Sequence, residues 1–534
     1  MTGQWTRRLS RGALATLVAS CLVGAAVGVC ATTAGATAKT TQADAAVVVT
    51  EDGPVRGTVG ATVRSFLAIP YAAPPVGDLR WRPPLPAARW HGLRDATEPA
   101  PYCPQLPSPY GRASTSEDCL YLNVFTPPHA NPGDRYPVMF WVHGGALLVG
   151  GSAGYDPSRL VAKGVVVVTI NYRIGMLGFL AHPALTAESP EHASGNYGLM
   201  DQQAGLRWVQ RNIAQFGGDP HDVTIFGQSA GGLSVHSQLA SPLAAGLFER
   251  AIVESGAYSL TQPSLAAAEA GGQAFATRAG CADQSLTCLR DLPVSSLLAA
   301  NTASTIVPNV DGNVLTGSVG AAFASGQFNR VPVLEGSTHD EWRLFVASTE
   351  AATGAPLTAD HYEAAIGATL GVSAATAHLL ALIYPLSAYS SPSVALGALG
   401  TDAVFACNAR RAVRSLAQYV PTYQYEFNDP TAPMRFFRGI SFPTGAYHAS
   451  EIQYVFDTPG SPVPASLNAD QVALADAIVT YWTDFAKTGD PNADSVPTWP
   501  TYDATAEQFQ SLELPAPVTS HGFALDHKCA VWGG

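Results

Sequence analysis

Val223-Thr-Ile-Phe-Gly-Gln-Ser-Ala-Gly-Gly232 is the stretch on which the reading of this chain turns. A β-rich run, Val223 to Phe226, enters Gly227-Gln228-Ser229-Ala230-Gly231, and a helix-compatible segment, Leu233 to Ala240, follows. Strand, tight turn and helix are the context that gives a G-x-S-x-G pentapeptide its meaning. The pattern places Ser229 on a sharp backbone turn at the C-terminal end of a central strand. Gly227 and Gly231 remove side chains that would clash as strand and helix close on each other. The hydroxyl then lies near a helix N-terminus, whose free N–H groups favour developing negative charge.

Outward from this turn, the elements arrive in the order of a doubly wound sheet. Val138-Met-Phe-Trp-Val142 reads as a buried strand ending in His143-Gly-Gly-Ala146. Val165 to Ile170 is a continuous β-branched run, typical of a strand covered on both faces. Gly198 to Phe216 is amphipathic and helical, with Leu199, Gln203, Leu206, Val209 and Ile213 near one face. Arg250-Ala-Ile-Val-Glu254, Val331-Pro-Val-Leu-Glu335 and Thr422 to Phe427 read as further strands, and Gln471 to Thr488 as a helix. The fold class expected is α/β, with a large, mostly parallel central sheet and helices on both faces. Val47 to Val55 and Ala61 to Ile69 suggest an opening hairpin around Gly57 and Gly60. Phe66 to Pro84 is dense in proline and reads as an extended surface segment. No internal repeat is present, so residues 46–534 are expected to form one continuous domain with long loops.

Length and composition bound the function. With 534 residues, 47% of them hydrophobic, the chain is long enough for a large core. A net charge of −12 and the lack of any Lys/Arg-rich run argue against nucleic-acid binding. Residues 1–45 read as an export signal. Arg7, Arg8 and Arg11 precede an apolar run from Ala13 to Val29, and A-x-A sites follow at Ala34-Gly-Ala36, Ala36-Thr-Ala38 and Ala43-Asp-Ala45. The run is short and rich in Ala and Gly, which favours a cleaved signal over a membrane anchor. Thr6-Arg7-Arg8-Leu9 is a weak twin-arginine match, and Val18-Ala-Ser-Cys21 resembles a lipoprotein cleavage site, with a lipid-anchored form as the minor alternative. The expected product is a secreted, monomeric protein with no membrane-spanning segment. Beyond the signal stand six cysteines, Cys103, Cys119, Cys281, Cys288, Cys407 and Cys529. An even number in an exported chain points to disulfides, although six allow fifteen pairings. No CxxC occurs, and neither a metal nor a cofactor is expected.

Acyl transfer by a serine needs a base, an acid that orients the base, and donors for the oxyanion. After a G-x-S-x-G turn of this kind the order is Ser, then Asp or Glu, then His. The downstream histidines are His236, His339, His361, His378, His448, His521 and His527. His236 lies in the helix after the turn, His361 and His378 in Ala-rich helical stretches, and His521 and His527 in the closing tail. His448 stands in Gly445-Ala-Tyr-His-Ala-Ser-Glu451-Ile-Gln-Tyr-Val455, a loop after the late strand, where the base should be.

A family resemblance now becomes specific. Phe66-Leu-Ala-Ile-Pro-Tyr71, Glu117-Asp-Cys-Leu-Tyr-Leu-Asn123, His143-Gly-Gly-Ala146, Asn171-Tyr-Arg173, Gly195-Asn-Tyr-Gly-Leu-Met-Asp-Gln-Gln203, Phe216-Gly-Gly-Asp-Pro220 and Gly227-Gln-Ser-Ala-Gly-Gly232 occur in the order found in type-B carboxylesterases. That family also holds the cholinesterases and cholesterol esterases. The match runs from about residue 47 to the C-terminus and implies an α/β-hydrolase fold and a serine esterase. It implies Ser229 as nucleophile, His448 as base and Glu341, in Gly336-Ser-Thr-His-Asp-Glu341, as the acid. Trp342 departs from the usual glycine, and spacing alone does not choose between Glu341 and the adjacent Asp340. The same resemblance implies an oxyanion hole from the N–H groups of Gly145, Ala146 and Ala230, and a supporting role for Ser255 and Gln228. It also implies the pairs Cys103–Cys119, Cys281–Cys288 and Cys407–Cys529.

Two departures narrow the substrate. Cholinesterases carry Glu directly before the nucleophile and a Trp in the first disulfide loop. Here Gln228 precedes Ser229, and no Trp lies between Cys103 and Cys119. A choline cation would lack its charge partner and its aromatic platform. The implied substrates are small-molecule or lipid-like esters, of short to medium chain. Gly-Gly-Ala followed by Leu147 resembles the hole type that admits bulky alcohols, so slow hydrolysis of tertiary-alcohol esters is expected. The alternatives are a lipase or polyester hydrolase and, outside enzymes, a catalytically inactive adhesion module of the neuroligin kind. Such modules lose triad residues, whereas all three stand here.

Overall fold

The computed structural model describes residues 46–302 and 306–533. The export signal expected over residues 1–45 lies outside them. Strands β1 (Val47–Val49), β2 (Pro54–Arg56), β3 (Thr58–Val59), β4 (Arg64–Pro70), β5 (Arg94–Asp95), β6 (Tyr121–Thr126) and β7 (Tyr136–Val142) come first. They are followed by β8 (Val166–Ile170), β9 (Gly218–Gln228), β10 (Arg250–Glu254), β11 (Val333–Thr338), β12 (Thr422–Phe427), β13 (Phe509–Leu512) and β14 (Val518–Ser520). Eleven of these form one sheet in the order β14-β13-β12-β11-β10-β9-β7-β8-β6-β4-β3. Every pairing from β8 through β7, β9, β10, β11 and β12 to β13 is parallel, and the edge pairings are antiparallel.

The continuous apolar runs explain the central position of these strands. Val138, Phe140 and Val142 of β7 pack into one core, while Met139 and Trp141 pack into the other. Val223 and Ile225 against Phe226 in β9, and Ala251 and Val253 against Ile252 in β10, divide the same way. All five residues of β8 are buried. Each face is covered by helices. On one side lie α1 (Tyr197–Asn212), which buries Leu199, Leu206 and Val209, and α2 (Ala230–Ala240), which buries Val235 and Leu239. Beyond α3 (Arg343–Thr353), the helix α4 (Cys407–Leu416) joins this first side through Ala409, Ala412 and Leu416. The other side is filled by α5 (Ala469–Thr488), whose Leu474, Ile478, Trp482 and Phe485 are at most 1% exposed. Burial of side chains this large contributes about 1.5–3 kcal/mol each. Among the described residues, no single helix is long and apolar enough to cross a membrane.

Two early expectations are corrected. Val47 and Ile69 do not belong to one hairpin: β1 pairs with β2, whereas β3 pairs with β4 and β4 with β6. The proline-dense segment is not a surface segment throughout, because Phe66, Tyr71 and Trp81 are at most 2% exposed. Proline suppresses strand pairing, but its neighbours here are drawn into the core. Cys103–Cys119, Cys281–Cys288 and Cys407–Cys529 are bonded, at sequence separations of 16, 7 and 122. The last closes the longest loop, which in the chain-entropy model is worth about 5 kcal/mol.

The topology fixes where a site can form. Chain winding reverses at β7, which lies between β8 and β9. Ligands of open parallel sheets bind at the carboxyl ends of strands beside such a reversal. Val142 pairs with Gly227, so the loop after β7 and the turn after β9 leave the sheet side by side.

Candidate active site

Ser229 follows β9 with φ 57° and ψ −121°, and α2 starts at the next residue. A left-handed φ strains a residue that carries a side chain, by about 1–3 kcal/mol. The turn is held in place from both sides: Ser229 N–H donates to Glu254 O at 2.8 Å, and Leu233 N–H donates to Ser229 O at 2.8 Å. Glycine at 231 is a packing requirement, because a Cβ there would meet Val142 O at 1.9 Å. The strand-to-helix angle that exposes the serine therefore depends on that residue's size.

The loop after β7 reaches the same point. A side chain at Gly144 would lie 3.0 Å from Gln228 Oε1 and 3.1 Å from Ser229 Cβ. Three successive residues, Gly145, Ala146 and Leu147, have positive φ of 106°, 57° and 57°. Among the described residues, the N–H groups of Gly145 and Ala146 donate to no acceptor. Ala230 opens α2, where an N–H has no partner within the helix. His143 anchors the loop. Its ring stacks on Tyr172 at 4.5 Å, Nδ1 lies 2.8 Å from Gly144 O, and its carbonyl accepts from Tyr172 OH at 2.7 Å. Burial pushes the His143 pKa down to about 4, so the ring is neutral at pH 7.

Glu341 and His448 meet although they lie on separate loops. Glu341 follows β11 and His448 follows β12, and these strands are parallel neighbours. His448 Nδ1 lies 2.5 Å from Glu341 Oε2, and Thr338 N–H donates to Glu341 Oε1 at 2.9 Å. Glu341 is fully buried and His448 nearly so. Asp340 points elsewhere, bonded to Arg343 at 2.8 Å, to His339 at 3.1 Å and to Ala446 N–H at 3.0 Å. The adjacent pair that spacing left open is thus divided between two tasks. With Nδ1–H given to Glu341, His448 Nε2 presents its lone pair, and Gln228 Nε2–H approaches it at 3.3 Å. Gln228 is the neighbour of Ser229 in sequence, so the imidazole faces the elbow.

Three of the other histidines are committed elsewhere. His236 Nε2 pairs with Glu335 at 3.1 Å in the core, and His361 and His378 bond to Thr358 and Glu363 on the surface. Ser255, at φ 52°, donates its N–H to Gly336 O at 2.8 Å, and its buried hydroxyl has no partner among the described residues. It therefore offers a free hydroxyl behind the elbow.

Several neighbours of the site carry no motif signal. Phe405 and Phe345 flank the His448 ring at 4.9 and 5.4 Å, and Trp342 packs on Phe345 at 4.5 Å. The tryptophan that departs from the family pattern thus supports an aromatic wall beside the imidazole. Two buried carboxyls also lie behind the site. Glu254 accepts from Trp482 Nε1 at 2.7 Å, and burial raises its pKa to about 7. Glu451 is pushed well above the carboxylate range, first by burial and then by the charges of Glu254 and Glu341. Both stand inside stretches quoted above, but only their three-dimensional convergence marks them.

The Glu254 shift has a stability consequence. A folded pKa above the ordinary 4.5 means the fold retains a proton that the unfolded chain releases. Its contribution is complete below about pH 4.5 and is lost as pH rises to about 7, by about 3 kcal/mol in total. Glu254→Gln keeps an acceptor for Trp482 and removes the titration. Urea unfolding at pH 5 and pH 8 is expected to show a smaller stability drop in the variant than in the wild type. Equal drops would mean that another group titrates.

Helices on both faces of a largely parallel sheet, with the G-x-S-x-G turn at the carboxyl end of β9, make this an α/β-hydrolase. The sequence places it further. The Carboxylesterase family model matches residues 44–532, and the chain belongs to that family. It is similar to fumonisin B1 esterase of Sphingopyxis macrogoltabida, 37% identical over 86% of this chain and 85% of that protein. It is 35% identical to para-nitrobenzyl esterase of Bacillus subtilis, over 89% and 95% of the two chains. Human cocaine esterase is 34% identical over 90% of each. The protein is a carboxylic ester hydrolase.

Proposed function

We propose that this is an exported serine carboxylesterase that cleaves short- to medium-chain esters through an acyl-enzyme intermediate. The observation that carries this reading is the Glu341–His448 pair directed at the elbow of Ser229. Ser229 Oγ attacks the ester carbonyl as His448 Nε2 takes its proton, and Glu341 stabilises the imidazolium that forms. The oxyanion is met by the N–H groups of Gly145, Ala146 and Ala230. His448 returns the proton to the departing alcohol. Water then attacks the acyl-serine with the same imidazole as base, releasing the acid and restoring Ser229. Gln228 Nε2–H holds the imidazole lone pair until Ser229 Oγ takes its place. No cofactor takes part in the scheme. Residues 1–45 act as the export signal and residues 46–534 as the esterase domain, consistent with three disulfides.

The names of the relatives support small organic esters as substrates, since one is named for fumonisin B1, one for cocaine and one for a para-nitrobenzyl ester. A second reading, a lipase acting at an interface, is favoured by one feature. Leu379, Leu382 and Ile383 of the helix Ala374–Ile383 are 60%, 65% and 38% exposed. Hydrolysis of p-nitrophenyl esters from acetate to palmitate separates the two. Fast turnover of soluble short esters supports the carboxylesterase, whereas a palmitate optimum with activation at an interface supports the lipase. A well-folded protein that turns over none of them would exclude both. The backbone-lined hole with Ala146 predicts slow but measurable cleavage of tert-butyl acetate, and its complete absence would count against a hole open to tertiary alcohols.

A further inference from the structure

Away from the proposed catalytic site, two histidines and four carboxylates converge where β11 and β12 end and the C-terminal tail returns. His527 follows the short helix Phe523–Asp526, and its Nε2 lies 2.6 Å from Glu426 Oε1 on β12. His339 follows β11, its ring 5.5 Å from that of His527 and its Nε2 3.8 Å from Asp526 Oδ2. The ligating atoms of His339, Glu426 and His527 all lie within 4.8 Å of one another.

The outer partners are equally ordered. His527 Nδ1 pairs with Asp402 Oδ1 at 2.7 Å, and Asp402 Oδ2 accepts from Tyr384 OH at 2.8 Å. His339 Nδ1 pairs with Asp340 Oδ1 at 3.1 Å, and Asp340 is itself fixed by Arg343 and Ala446 N–H. A carboxylate on Nδ1 orients a histidine and strengthens its Nε2 as a metal ligand once that nitrogen gives up its proton. His527 Nε2–H donates to Glu426 Oε1, so a cation must displace this proton. Both imidazoles therefore present Nε2 toward the same acidic space.

We propose that His339 Nε2, Glu426, Asp526 and His527 Nε2 form a tetrahedral site for a divalent cation of the zinc type, with Asp340 and Asp402 as its outer carboxylates. Once their Nε2 protons are displaced, the two imidazoles and two carboxylates match the N/O donor set and the charge of zinc. In a tetrahedral zinc site neighbouring ligand atoms stand roughly 3.3 Å apart, so the 2.6 Å His527–Glu426 pair must open while the widest separation in the cluster, up to 4.8 Å, closes by about 1.5 Å. The means to do so are at its edge. The His339 and Asp526 side chains are 33% and 69% exposed, while Glu426 and His527 are 3% and 4% exposed. The buried half is fixed, and the exposed half is free to close and gives the cation its way in. Binding displaces any protons on the two Nε2 atoms.

The site would act on stability. It ties the tail beside Cys529 to β12 and, through Asp340, to the loop that carries His448. The test uses the full chain, treated with EDTA, dialysed into metal-free buffer and titrated with zinc chloride by calorimetry, with metal content and thermal midpoint measured alongside. The expected result is one zinc per chain and a midpoint raised by zinc and lowered again by EDTA. Asp526→Asn, at an exposed position, is expected to weaken zinc binding at least tenfold, and His339→Gln more. Failure of the wild type to take up stoichiometric zinc, or uptake unchanged in both variants, would overturn the proposal. Because metal content and calorimetry do not read esterase turnover, the outcome is independent of the catalytic scheme.

Discussion

Ser229→Ala is expected to lower kcat for p-nitrophenyl acetate by about 10⁵–10⁶, the scale of removing the nucleophile in a serine hydrolase. The fold should be indifferent to the change. Among the described residues the hydroxyl makes no hydrogen bond, and the backbone bonds that set the turn, Ser229 N–H to Glu254 O and Leu233 N–H to Ser229 O, do not involve it. Alanine also adopts a φ of 57° in this same protein, at Ala146. Thermal midpoints of wild type and variant should therefore agree closely while turnover vanishes. A phosphonate ester that labels serine nucleophiles should add one mass equivalent to the wild type and none to the variant. Residual turnover above about 10⁻³ of wild type would exceed what an oxyanion hole and binding alone provide, and would place the nucleophile elsewhere.

The proposed nucleophile is legible because its local chemistry is dense: a β-branched run, two glycines and a helical segment within about fifteen residues. The sheet was legible for a similar reason. Strands buried on both faces, such as Val166–Ile170, leave long apolar runs that no surface element needs. His448 could be read from its place in a loop after a late strand. Its partner could not be read from spacing alone. Asp340 and Glu341 are consecutive, so their side chains leave the backbone in different directions, and only the packing of the β11 and β12 loops decides which one faces the imidazole. The buried status of Phe66, Tyr71 and Trp81 was hidden by the prolines around them. Glu254, Glu451, Phe345 and Phe405 escaped for a third reason. Each looks ordinary in its own segment: Phe345 and Phe405 gain their meaning against the His448 ring, and Glu254 and Glu451 through each other and Glu341.

The division of labour between the two adjacent acids predicts opposite phenotypes. In Glu341→Gln, the Thr338 N–H that now bonds Oε1 at 2.9 Å would hold the amide oxygen in place and turn the amide NH₂ toward His448 Nδ1. Two donors cannot face each other, so the imidazole proton must move to Nε2. That tautomer has no lone pair for the Ser229 proton, and the imidazolium loses its counter-charge. A loss of about 10⁴ in kcat follows, the magnitude seen when the triad acid of a serine protease becomes its amide. Asp340→Asn leaves the Glu341–His448 pair in place. It weakens the contacts to Arg343 and His339 and one anchor of the loop at Ala446, so it should lower the thermal midpoint and cost about tenfold or less in kcat. Steady-state kinetics on the two variants, paired with thermal unfolding, reads both effects. If Asp340→Asn produced the 10⁴ loss and Glu341→Gln the mild one, the acid of this site would be Asp340, and the 2.5 Å pair would be structural.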